Sequence, residues 1–239
     1  MTRSQIARFA GLLYLIIIIC GIVDLVYIPS KLIVWQDPAK TVENIMNSEL
    51  LFKEGVVCGI VTFLAFLLLS LVLYKLLKQV NKTHARLMVI FVLVSIPMSF
   101  INMLHKFSVL TLVNNPYYSQ VLTVDQLQAQ VMLQLEYFNN GDQLSYIFWG
   151  LWLFPFGYLV YKSGFLPKIL GIFLMAGCFS HLIDFFGQFL VPGYSNSIIA
   201  TIVGLPSTIG EFGICLWLLV MGTNKFNIRK RPQKPVYNS

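Results

Sequence analysis

Six ionisable side chains fall inside long apolar runs: Asp24, His105, Lys106, His181, Asp184 and Glu211. Placing one such group in lipid costs at least ~2.5 kcal/mol, so each marks a point where the chain supplies a partner, a proton path or a polar cavity. Helix phase sorts them. Ser95, Ser99, Asn102, His105 and Lys106 make one stripe, His181, Asp184 and Gln188 a second, and Thr201, Thr208 and Glu211 a third. Tyr14 and Asp24 contribute from the first apolar run. At ~1.5 Å per residue, Asp24 lies about 6 Å inside the end of its run, His105 and His181 ~12–14 Å and Glu211 ~20 Å, all counted from the same side.

Two kinds of chemistry suit such a set. Polar groups at overlapping depths can line one cavity for a small hydrophobic or amphipathic molecule, with Asp24, Asn102, His105, Lys106, Trp152, His181, Asp184, Gln188 and Glu211 as its binding residues. A buried carboxyl, at Glu211, Asp184 or Asp24, can instead act as a proton donor. Convergence is expected on cost alone, because six dispersed ionisable groups facing lipid would cost on the order of 10 kcal/mol. The structural alternatives are an Asp24–Lys106 ion pair, a His181–Asp184 hydrogen bond, and a Glu211 bonded to backbone freed by Pro206. No phosphate loop, nucleophile elbow or metalloprotease motif is present. Cys20, Cys58, Cys178 and Cys215 lie one to a run without a Cys-x-x-Cys, so they read as packing residues, and neither a metal nor a cofactor is expected.

The elements that hold these residues follow from composition. The chain has 239 residues, 57% of them hydrophobic and 11% charged, and its mean hydropathy is +0.74. Soluble domains carry ~25% charged residues, so a soluble enzyme, a disordered chain and a nucleic-acid-binding module are excluded. Six segments match the ~20 helical residues that a bilayer requires: Phe9–Ile28, Val56–Leu77, Leu87–Val113, Asp142–Lys162, Ile169–Leu190 and Ile198–Met221. They lack the alternation of barrel strands. The expected fold is an all-α, six-span transmembrane bundle forming one domain over residues 1–239. The first run lacks a small-residue cleavage site and reads as a retained helix.

Lys and Arg set the orientation. One side carries thirteen basic residues and no acid, from Arg3, Arg8, Lys75 and Lys78 through Lys82, Arg86, Lys162 and Lys168 to the tail Lys225–Lys234. The other carries Lys31, Lys40 and Lys53 against Asp37, Glu43, Glu49, Glu54, Asp125, Glu136 and Asp142. The positive-inside rule makes the first side, with both termini and the basic tail 222–239, cytoplasmic. A bacterial cytoplasmic membrane is the expected location, and the cavity then opens outward.

Two amphipathic segments lie on the outer side. Asp37-Pro38 supplies an N-cap and first-turn proline ahead of Val42, Ile45, Met46 and Leu50. Thr123 and Gln126 form a capping box ahead of Leu127, Val131, Leu135 and Phe138. Asn139-Asn140-Gly141 is expected to break the helix before the fourth span. Pro97, Pro155 and Pro206 interrupt spans, and Gly55-x-x-x-Gly59 permits a close helix contact, within the chain or between copies.

Four blocks carry a resemblance: Phe9-Ala10-Gly11-Leu12-Leu13-Tyr14-Leu15; Thr41-Val42-Glu43-Asn44-Ile45 with Ser48-Glu49-Leu50-Leu51-Phe52-Lys53; Gly157 through Pro167; and Gly210-Glu211 with Leu216-Trp217-Leu218-Leu219-Val220. Together they resemble an uncharacterised bacterial membrane family, domain of unknown function 4386. The resemblance implies a six-helix membrane protein and no particular activity. Where many members place His in the fourth span, this chain has Trp152.

Three functions remain open: a non-enzymatic binder or carrier of a small hydrophobic or amphipathic molecule, an intramembrane acid–base enzyme acting on an isoprenoid or lipid, and an accessory or self-associating subunit with a structural polar network. The lipid bilayer is the one partner common to all; nucleic acid is not expected. The orientation is directly testable. With the four native cysteines replaced, Glu49→Cys should react with an impermeant maleimide on intact cells and Lys82→Cys only after permeabilisation; the reverse pattern inverts the topology.

Overall fold

Six helices are long and apolar enough to cross a membrane, in a computed structural model that describes residues 2–223. Most of the basic tail, including Lys225–Lys234, lies outside the described residues. Helix α1 (Arg3–Ile22) runs through a π-helical segment (Val23–Tyr27) into α2 (Ile28–Leu32), and together they make the first span. Then come α3 (Pro38–Asn47), α4 (Glu49–Leu77), α5 (Lys82–Asn114), α6 (Pro116–Val121), α7 (Val124–Leu151), α8 (Leu153–Lys162), α9 (Lys168–Leu190) and α10 (Ile198–Val220). No strand occurs among the described residues.

Local chemistry starts these helices where the sequence predicts. The Asp37 side chain accepts from the Lys40 amide with Pro38 in the first turn, and Thr123 and Gln126 close a reciprocal capping box. A second box, Thr2 with Gln5, opens α1. Such caps satisfy amides that the helix itself leaves without partners.

Helix α1 packs between α4 and α10, α5 lies against α4 and α7, and α9 fills the space between α8 and α10. Leu69, Leu73, Met88, Leu153 and Phe156 are fully buried between them, while Leu64, Leu68, Ile90 and Ile101 point outward. An exposed apolar belt on a bundle with a buried core is what lipid requires. Lys75, Lys78, Lys82 and Lys162 gather at one end, where Arg3 donates to Gln79 at 2.8 Å. Helices α2, α3 and α6, with the first half of α7, cover the opposite end, called here the capped end.

Two elements differ from the sequence expectation. The first span continues to Leu32, so Asp24 lies about 12 Å from its end rather than about 6 Å. Asn139-Asn140-Gly141 does not break α7, which runs straight through. Gly141 is there for contact: a Cβ would strike the Asn102 side chain, whose Nδ2 donates to the Phe138 carbonyl at 2.8 Å. The interruption falls instead at Trp152, between α7 and α8. Pro155, three residues on, cannot donate to the Leu151 carbonyl. Helices α7 and α8 together form a 39-residue span, about 58 Å long against a ~30 Å hydrocarbon layer. Of the two contacts that Gly55-x-x-x-Gly59 allows, the one within the chain is made: both glycines face the first span and leave room for Asp24.

One close helix contact is reciprocal. A Cβ on Gly157 of α8 would lie 2.6 Å from the Gly171 carbonyl, and one on Gly171 of α9 would lie 2.7 Å from the Gly157 carbonyl. Gly171→Leu should therefore separate α8 from α9 and cost about 1–3 kcal/mol, read as a lower thermal midpoint in detergent. Gly204→Leu, where a Cβ meets open space, should leave the midpoint unchanged.

Candidate functional site

The sequence-predicted residues assemble into two main clusters. The first surrounds the Asp24–Lys106 ion pair, buried on both partners. Asp24 stands on the π-helical segment, where the wider turn displaces a side chain from its α-helical direction. A Cβ at Gly59 would lie 2.7 Å from Asp24 Oδ2, and one at Gly55 would lie 3.3 Å from Oδ1, so these two glycines form the floor under the carboxylate. Lys106 Nζ also sits 4.0 Å from the centre of the Phe138 ring, a cation–π contact. Asn102, one turn before Lys106, fixes α5 to α7 through the Phe138 carbonyl. A cavity of about 180 Å3 opens above the pair toward the capped end, with Trp35, Phe52 and Leu135 in its walls.

The second cluster is deeper. Tyr14 of α1 donates to Glu211 Oε2 of α10 at 2.8 Å, and Glu211 Oε1 is 3.5 Å from His181 Nε2 of α9. Glu211 is thus held by side chains rather than by the backbone that Pro206 frees. Three helices meet through this chain of groups, about 20 Å along α10 from its start. Gly150 permits it: a Cβ there would lie 2.8 Å from the His181 Cβ. A cavity of about 160 Å3 lies against the chain, walled by Phe63, Phe66, Trp149 and Trp152. Trp152 stacks on Phe156 with centres 5.1 Å apart and takes Phe66 edge-on at 4.9 Å. Thr62 also lines the cavity, and its Oγ1 is buried with no hydrogen-bond partner among the described residues.

The remaining candidates are engaged elsewhere. His105 faces away from Lys106, with Nδ1 2.8 Å from Gln134 Oε1 and its ring against Tyr137. Asp184 accepts from Tyr194 at 2.7 Å rather than from His181. Burial, together with the Asp184 carboxylate, pushes the Tyr194 phenol in the α9–α10 loop up to about 12. Gln188 meets Gln143 at 3.5 Å near the surface. The single convergence expected from depth is therefore divided, and Leu25 lies in the wall of both cavities.

Sequence reasoning missed Asp142 and Tyr146. Asp142 lies within Coulomb reach of Lys106 and Asp24, and Tyr146 lies between Asp142 and Asp184 with its ring 5.7 Å from His181. Carrying the helical register on from the Thr123 capping box would have found both, since 138, 142 and 146 share a face.

Six spanning helices with their polar groups joined across helix interfaces define a multi-pass membrane protein. Residues 9–222 match the family described as Domain of unknown function (DUF4386), and the chain belongs to that family. Over 89 residues it is 35% identical to a protein of Archaeoglobus fulgidus described as "Uncharacterized protein", covering 37% of this chain and 51% of the relative. The chain thus spans about half the length of that curated relative. No solved structure matches.

Breaking the buried pair tests its energetic role. Lys106→Met leaves Asp24 without its counter-ion and should cost about 3–5 kcal/mol. Asp24→Asn combined with Lys106→Met should recover most of that loss, measured by unfolding in mixed micelles.

Proposed function

We propose that this protein is a non-enzymatic membrane protein that binds, or moves, a small hydrophobic or amphipathic molecule in the cavity between Trp152 and Glu211. One observation carries the reading: an aromatic-walled space of about 160 Å3 has the Tyr14–Glu211–His181 chain along one side. Ligand sites of bilayer and soluble proteins share this form, a mostly apolar pocket with a few placed polar groups. The cavity runs from Tyr14 to Leu25, about 16 Å along the first span toward the capped end. The excess of Lys and Arg at the other end supports a cytoplasmic location for both termini, and with it an outward-facing cavity.

The same hydrogen-bonded chain favours a second reading, an intramembrane acid–base enzyme acting on an isoprenoid or lipid with Glu211 as proton donor. Tyr14 and His181 would then position the carboxyl and exchange its proton with the cavity.

Gly21 separates these ideas from an unliganded bundle. It lines the cavity, and a Cβ there meets nothing within 4 Å, so Gly21→Phe fills the space without moving a helix. Mass spectrometry of extracts should find a small molecule retained by the wild type and absent from Gly21→Phe, with similar thermal midpoints. Equal retention, or none in the wild type, overturns the binding reading. A chemically different molecule on Glu211→Gln replaces the binder with the enzyme.

A further inference from the structure

We infer that the ligand of the deeper cavity is an organic cation, a small ammonium ion of about six to ten non-hydrogen atoms; this rests on the binding reading above and specifies its ligand. Size comes first. A dry cavity of ~150 Å3 accepts a benzene ring, and this one has about 160 Å3. Charge comes next. Glu211 is the one carboxylate in its wall and, among the described residues, no lysine or arginine lines it. The amine of Lys106 belongs to the other cavity and is already paired with Asp24. His181 is the one basic side chain in this wall and is already engaged with Glu211 at 3.5 Å, so an anion would meet no free cation there.

The wall fits a cation in a second way. Tyr14, Phe66, Trp149 and Trp152 offer aromatic rings around a small space, and aromatic rings attract cations most strongly where water is excluded. Lys106 against Phe138 is the same chemistry made within the chain. Two acceptors remain for the N–H groups of an ammonium ion. Glu211 has about four lone-pair sites, of which Tyr14 and His181 engage one on each oxygen. Thr62 Oγ1 lies buried in the wall with no partner. A neutral hydrocarbon would leave both unused.

Tryptophan fluorescence of the full chain in detergent micelles tests this with two probes of one shape, phenyltrimethylammonium and the neutral tert-butylbenzene, and with benzylammonium for the Thr62 contact. Phenyltrimethylammonium should bind about tenfold tighter than its neutral isostere. Glu211→Gln should lower the affinity of the cation about tenfold and leave that of the isostere unchanged. Thr62→Val should weaken benzylammonium and spare phenyltrimethylammonium, which has no N–H to donate. Equal affinity for cation and isostere in the wild type overturns the charge assignment while the binding reading stands. If neither probe binds and the wild type still carries a co-purified neutral molecule, the cation assignment falls alone. If neither binds and nothing co-purifies, both fall.

Discussion

Hydrocarbon offers no hydrogen-bond partner, and the Asp24–Lys106 pair is where this chain meets that constraint most sharply. A buried carboxylate needs its counter-ion and further contacts at close range. Much of the neighbouring architecture serves that need. Gly55 and Gly59 give up side chains so that α4 can pass beneath Asp24. The π-helical turn directs the carboxylate toward α5. The Phe138 ring covers the ammonium, and Asn102 holds α5 against the helix that carries the ring. The pair is therefore joined to helix packing on three sides.

The deeper cluster meets the same constraint differently. Glu211 has no cationic side chain against it except His181, and its contacts are long or neutral. Both carboxylates border a cavity, but the Asp24 side chain is 3% exposed beside its lysine, whereas that of Glu211 is 27% exposed. One carboxylate is thus matched by a lysine within the fold, and the other is left with acceptor capacity toward its cavity. That contrast is why the cluster around Glu211 is the better candidate for ligand chemistry and the cluster around Asp24 for holding helices together.

Much of this was legible in the sequence. Hydropathy placed six spans because the bilayer imposes a length, and the Asp37-Pro38 and Thr123–Gln126 signals placed helix starts because capping is local chemistry. What failed was non-local. Asn139-Asn140-Gly141 reads as a break until Asn102, on a different helix, fills the space that the missing Gly141 side chain leaves. Asp24 was placed too shallow because Ser30 and Lys31 look like the end of a span, yet the helix continues to Leu32. Helix phase found the polar stripes and could not say which stripes face each other. Partner choice depends on the rotation of each helix about its own axis, which periodicity leaves free. His105 shows this: it shares a stripe with Lys106 and points to Gln134 instead.

The uninterrupted α7 has a mechanical consequence. From Val124 to Trp149 it is one continuous helix of about 38 Å, and Asn102 seats against it at Gly141, about two-thirds of the way along. An α-helix without a proline or glycine-induced kink bends only gently. The first half of α7 packs against α3 at the capped end, while its far end carries Trp149 in the wall of the deeper cavity. One stiff element thus joins contacts made at the capped end to the wall of a space among the spans.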